Sequence, residues 1–131
     1  MRDWESFPAS PEVSSAPLLT VQPHPQSEPG VWCVRVAGEL DLATAPLLSV
    51  ELHLVLAVAD TVLVDLTEVA FLDAVGLTVL LTAQTAARRQ NKRLRVVAAH
   101  RAVRRVVDLF DLAPQLGLPP DPAGVPLTRR P

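Results

Sequence analysis

A chain of 131 residues, 49% of them hydrophobic and with a formal net charge of −2, is long enough to bury one small core and lacks the basic excess that marks many nucleic-acid binders. Its apolar runs are broken by Glu, Asp, Thr or Gln well short of the roughly eighteen residues a membrane-spanning helix needs, and its N-terminus is acidic, so neither a span nor a leader is expected. The lone Cys33 excludes an internal disulfide and a thiolate zinc site, and the chain reads as cytoplasmic.

Residues 1–17 carry Pro8, Pro11 and Pro17 among Ser, Ala and acidic residues, and read as a flexible tail ahead of a domain over 18–118. A short strand is expected from Leu18 to Pro23, then a loop from His24 to Gly30, then a second strand from Val31 to Ala37 in which Cys33 is a small buried hydrophobe. Thr44 is placed as an N-cap with Pro46 in the first turn, predicting a helix over Ala45–Ala57 that buries Leu47, Val50, Leu54 and Val58. The third strand is the β-branched run Thr61–Leu66, broken only by Asp65.

A loop containing Thr67 follows, and Asp73 then caps a helix reaching about Gln90. Leu77, Leu80 and Leu81 of that helix should face inward and Gln84 should sit near the rim, with Arg88, Arg89 and Lys92 suiting its C-terminus. The fourth strand is Leu94–Ala98. A last helix over Arg101–Leu112 should turn Val103, Val106, Val107 and Phe110 to one side. Residues 119–131, with five of the thirteen prolines, read as a second flexible tail. Alternation of strand and helix from the second strand onward predicts an α/β fold: a mixed, mostly parallel four-stranded sheet with helices packed on it, the first strand adding as an antiparallel edge.

Charge is segregated along the chain. No Lys or Arg lies between Arg35 and Arg88, a stretch holding Glu39, Asp41, Glu51, Asp60, Asp65, Glu68 and Asp73, whereas eight of the twelve basic residues fall between Arg88 and Arg105. No aromatic residue interleaves that basic cluster, so solvated helix faces explain it better than nucleic acid does. Chemistry is equally sparse. His24, His53 and His100 share no metal-ligand spacing, there is no phosphate-cradling Gly-rich loop, and Asp73 as a cap accounts for the Asp65 and Asp73 pair. Neither turnover, metal nor cofactor is expected; His53 and His100 read as solvated or capping.

The order Val64-Asp65-Leu66, then Val69, Phe71, Leu72, Asp73, two small residues, Gly76 and Leu77 resembles the signature turn of STAS domains, the family of anti-sigma-factor antagonists and of the cytoplasmic tails of sulfate transporters. Val36-Ala37-Gly38-Glu39-Leu40-Asp41 with Thr44-Ala45-Pro46, about thirty residues earlier, is similar to the family's second strand and entry to its first helix. The resemblance covers Leu18–Leu118 and implies the same fold outline. The family turn reads Asp-Ser-Ser-Gly-Leu-Gly, and its first Ser is phosphorylated to switch binding to an anti-sigma factor with serine kinase activity. Here Ala74 and Val75 stand in place of the two serines and Thr78 in place of the second Gly.

What the resemblance implies is therefore a regulatory binding module whose partner is an anti-sigma factor with a histidine-kinase-like ATPase fold, freeing a sigma factor. Ala74 occupies the phosphosite position and offers no hydroxyl, so the binding is not gated there. The expected contact residues are Asp73, Ala74, Val75, Gly76 and Thr78, with Asp41 and Thr44 nearby. Thr78 and Thr67 are the places to look for another phosphate, although Thr78 reads first as a helix residue packing near the turn. A STAS subunit of a lipid-transporting ABC system, a sensory STAS assembly, or a nucleotide-binding module are the other readings. Oligomeric state stays open.

Overall fold

The computed structural model describes residues 18–120; the two proposed tails, 1–17 and most of 119–131, lie outside the described residues. Strands β1 (Leu19–Pro25) and β2 (Val31–Leu40) form an antiparallel hairpin, and helix α1 (Ala45–Leu56) leads to β3 (Thr61–Leu72). Helix α2 (Ala74–Arg89), β4 (Arg93–Ala99), α3 (Arg101–Leu109) and the single turn α4 (Ala113–Leu116) complete the order. The sheet runs β1-β2-β3-β4, with β2, β3 and β4 mutually parallel, so the mixed sheet read from the sequence is the one observed. Among the described residues no helix is long and apolar enough to cross a membrane.

Alternation gives the sheet its inner face. Val34, Val36, Val62, Val64, Leu66, Leu94 and Val96 are buried and recur every second residue along β2, β3 and β4. Against them pack Leu48, Leu52 and Val55 of α1, Leu77, Leu80 and Ala83 of α2, and Val103 and Val107 of α3, in one continuous core. Cys33, on the other face of β2, is half-buried rather than enclosed. The edge strand β1 carries Pro23 and Pro25, which cannot donate to a further ladder and so blunt the sheet edge.

Four expectations are corrected. First, α1 turns its other side inward: Leu48, Leu52, Val55 and Leu56 are buried, while Leu47, Val50, Leu54 and Val58 are 44%, 56%, 61% and 65% exposed. Both sets recur at helical spacing, so periodicity alone does not choose between them. Secondly, β3 continues through the supposed loop to Leu72, and β2 continues to Leu40. Two register shifts, between Arg35 and Ala37 and between Gly38 and Glu39, admit extra residues into β3 and replace its two-residue period with one of three.

Thirdly, Gln84 is in the core, not at the rim. Its Nε2 donates to the carbonyls of Leu94 and Gln115, fastening the α4 segment to the edge of β4, and its buried Oε1 has no hydrogen-bond partner among the described residues. Fourthly, α3 stops at Leu109. Asp111 takes a left-handed backbone with φ 56°, the chain turns, and Phe110 is left exposed. A smaller difference concerns Lys92, whose side-chain Nζ donates to the Leu56 carbonyl at the C-terminus of α1 while its backbone N–H donates to the Ala87 carbonyl at the C-terminus of α2.

The facing of α1 is directly testable. Leu52→Ala should lower stability by about 2–5 kcal/mol in urea unfolding, as for a buried leucine, whereas Leu54→Ala should change it by no more than about 0.5 kcal/mol. The reverse order would return the helix to the orientation read from the sequence.

Candidate functional site

The C-terminal ends of β2 and β3 are brought together by the parallel pairing of Leu40 with Leu72, and the chain leaves each strand directly into a helix. The Asp73 N–H donates to the Leu40 carbonyl at 3.2 Å, tying the α2 turn to the α1 turn. Asp73 itself has extended backbone, φ −109° and ψ −174°, and its Oδ1 accepts from the Gly76 N–H at 2.9 Å. This is the N-cap bond expected of an Asp at a helix start. Gly76 is required by space: a Cβ there would lie 2.7 Å from both Cγ and the carbonyl oxygen of Leu40 and 3.1 Å from Cδ1 of Leu72. Gly38, at φ 119°, is required too, because a Cβ would strike the Leu18 carbonyl beside it.

The second turn is held by Asp41 rather than by a Thr44 cap. Asp41 Oδ1 accepts from the Ala43 N–H at 3.0 Å and the Thr44 N–H at 3.2 Å. Thr44 sits at the N-cap position but makes no capping bond; its hydroxyl donates to the Glu39 carbonyl at 2.6 Å and accepts from the Asp41 N–H at 3.0 Å. Its helical φ and ψ aim the hydroxyl back at the strand end, and the residue is buried. Of the expected contact residues, the structure therefore presents Ala74, Val75 and Thr78 on the surface and Asp41 and Asp73 half-exposed. Gly76 and Thr44 lie beneath.

The surface of the turn is apolar with an acidic margin. Val75 is 38% exposed, and Leu42 and Phe71, which sequence periodicity did not single out, are exposed within two residues of Leu40 and Asp73. Phe71 enters the sequence reading only within the family motif, and Leu42 does not enter it. Thr78 Oγ1 donates to the Ala74 carbonyl at 2.8 Å, and Thr67 Oγ1 donates to Asp65 Oδ1 at 2.6 Å, where it holds the irregular part of β3. Beyond Thr78 an open groove of about 470 Å³ runs between α1 and α2, lined by His53, Leu81, Thr82, Thr85 and Arg89.

Among the described residues no group of three or more His, Cys, Asp or Glu side chains is placed to hold a metal ion. His100 caps α3, its Nδ1 accepting from the Ala102 N–H at 2.9 Å, and His53 Nδ1 lies 2.7 Å from the Ser49 carbonyl. Burial pushes the Cys33 thiol above its ordinary pKa, the Asp65 carboxylate adds to the shift, and Arg35 partly opposes it. The thiolate is thus disfavoured, the opposite of an activated nucleophile.

The family model described as the Mlab STAS domain matches residues 24–118. The crystal structure of an anti-sigma factor antagonist from Mycobacterium paratuberculosis is similar, with 32% identity and a TM-score of 0.66 over 82% of this chain and 92% of that one. The Bacillus cell fate determinant SpoIIAA in its phosphorylated form is similar in fold, at 15% identity and a TM-score of 0.60 over 84% of this chain and 100% of that one. So is the murine solute carrier 26 family member A9 anion transporter, at 16% identity and a TM-score of 0.61, covering 90% of this chain but 19% of the transporter. No curated protein matches the chain.

Two outcomes follow from this geometry. Asp73→Ala should cost about 0.5–2 kcal/mol of stability through the lost cap, and Gly76→Ala about 1–3 kcal/mol through overpacking against Leu40, both read as shifts of the urea midpoint. For Cys33, the raised folded-state pKa means a stabilising contribution present below the unfolded thiol pKa and lost as pH rises through the folded one. The pH profile of iodoacetamide alkylation should accordingly move to lower pH on unfolding and in Asp65→Asn. A native profile at or below the unfolded one would contradict this.

Proposed function

This chain belongs to the STAS-domain family, and we propose that it is a cytoplasmic regulatory binding module of the anti-sigma-factor antagonist type. Its partner in this reading is an anti-sigma factor with a histidine-kinase-like ATPase fold, whose capture frees a sigma factor. The contact is the turn at Asp73–Thr78, flanked by Asp41, with Ala74 and Val75 at its centre and Thr44 and Gly76 shaping it from below. The observation that carries the reading is an exposed, apolar and rigidly capped turn in a chain that shares 32% identity with an anti-sigma factor antagonist over most of both lengths.

Phosphate on a turn hydroxyl would add about −1.5 to −2 charges and disrupt a fitted apolar contact. Ala74 has no hydroxyl to accept it, so in this reading binding is not gated by phosphate at that position, and the exposed hydroxyls of Thr78 and Thr67, bonded to the Ala74 carbonyl and to Asp65, are where any other phosphate would be sought. Nothing in the mechanism requires turnover, nucleic acid or a cofactor. Two other readings, a STAS subunit of a lipid-transporting ABC system and a sensory STAS assembly, use the same fold.

Affinity co-purification from the native cytosol separates these readings. Tagged wild type should recover a histidine-kinase-like ATPase, identified by mass spectrometry, and Val75→Glu, which places charge on the turn, should lose it. Recovery of ABC permease or ATPase subunits would favour the transporter reading, and equal recovery by both baits would remove the turn as the contact.

A further inference from the structure

The groove beyond Thr78 has a chemical character of its own. Leu81 and Ala86 give it apolar lining, Arg89 gives it a cation, and no carboxylate lines it. Arg89 has no ion-pair partner among the described residues, and Arg88 and Lys92 add positive charge at the same end of α2. The groove is also rich in hydrogen-bond acceptors. His53 Nδ1 lies 2.7 Å from the Ser49 carbonyl, which can only accept, so Nδ1 carries the hydrogen and Nε2 of the neutral ring is left as an acceptor. Thr78 and Thr85 spend their hydroxyl hydrogens on the Ala74 and Leu81 carbonyls and have only lone pairs left to offer. Such a lining suits an aromatic ring that donates one N–H and sits beside a carboxylate, since the guanidinium can serve both the ring face and the anion.

The chain itself carries that combination ahead of the described region. The run Asp3-Trp4-Glu5-Ser6-Phe7 places an indole, a donor without an acceptor, between two carboxylates, with a second ring three residues on. Residues 1–17 hold the carboxylates of Asp3, Glu5 and Glu12 against the single guanidinium of Arg2. Residues 121–131 have the opposite balance, Arg129 and Arg130 against Asp121, and no aromatic ring.

The geometry allows the N-terminal segment to arrive. The Leu18 carbonyl accepts from the Glu39 N–H at 2.8 Å, so the segment joins the domain at the C-terminal end of β2, the end from which α1 and α2 both start. The 16 residues of α2 place Arg89 about 24 Å from that end. The residues between Phe7 and Leu18 reach about 33 Å when extended, enough to bring the aromatic run to the groove.

We propose that the groove is occupied by residues 3–7 of the same molecule, with Trp4 anchored against Leu81 and Ala86 and its flanking carboxylates paired with Arg89. Charge selects this segment over residues 121–131, and the turn, edged by Asp41 and Asp73, is a poorer match for it. Tethering supplies a high local concentration, so a contact too small to hold separate molecules suffices. Its ionic part weakens as salt rises.

Paramagnetic relaxation enhancement in the full chain tests this. With the native thiol removed by Cys33→Ala, a nitroxide attached through Ser6→Cys should broaden the amide signals of Leu81, Thr85 and Arg89 more than those of any other surface. Trp4→Ala and Arg89→Glu should each abolish that broadening while circular dichroism and the urea midpoint stay those of the parent. Asp3→Arg together with Glu5→Arg should restore it in the Arg89→Glu background. A spin-labelled chain mixed with an isotope-labelled, spin-free chain should show none, because the contact lies within one molecule. Broadening centred on another surface or uniform along the chain, persistence in either single variant, no rescue by the charge swap, or broadening in the mixed sample would each overturn the proposal.

Discussion

The fold is organised around the contact between Leu40 and the first turn of α2. Two parallel strands end side by side, the Asp73 N–H reaches the Leu40 carbonyl, and the missing side chain of Gly76 lets helix backbone close onto the Leu40 side chain. Because Leu40 and Leu72 are both buried, the two helix entrances are fixed relative to one another. The Asp41 bonds then set where α1 begins, and the Asp73 cap sets where α2 begins. In the proposed contact, a turn already fixed by these bonds lowers the ordering cost of association.

Much of this was legible in the sequence because local chemistry and tertiary demand agree. Asp73 before an apolar run is a cap by composition, Pro46 marks the first turn of α1, and the β-branched run Thr61–Leu66 is a strand. The departures occur where tertiary contacts override local pattern. α1 is apolar on two sides, and the choice between Leu52 and Leu54 is made by which side meets the sheet. The second half of β3 loses its alternation to register shifts, so Thr67–Leu72 does not read as strand although it pairs with β2. Gln84 looks like a rim residue until the Leu94 and Gln115 carbonyls are placed beside it. Thr44 has the identity of a cap and the position of one, but its hydroxyl is committed to Glu39.

The family motif reached further than periodicity. It located the turn and the strand end beside it. Substituting Ala for a hydroxyl-bearing residue leaves the cap, the glycine contact and the helix start untouched, because none of them uses that side chain.

The central claim is that the turn binds without phosphate gating, and the most direct measurement is partner release by ATP. With the anti-sigma factor recovered on immobilised wild type and on Ala74→Ser, addition of ATP and magnesium should leave the wild-type complex intact and release the partner from Ala74→Ser, with phosphate mapping to the new serine. Release from wild type, with phosphate on any of its residues, would contradict the account.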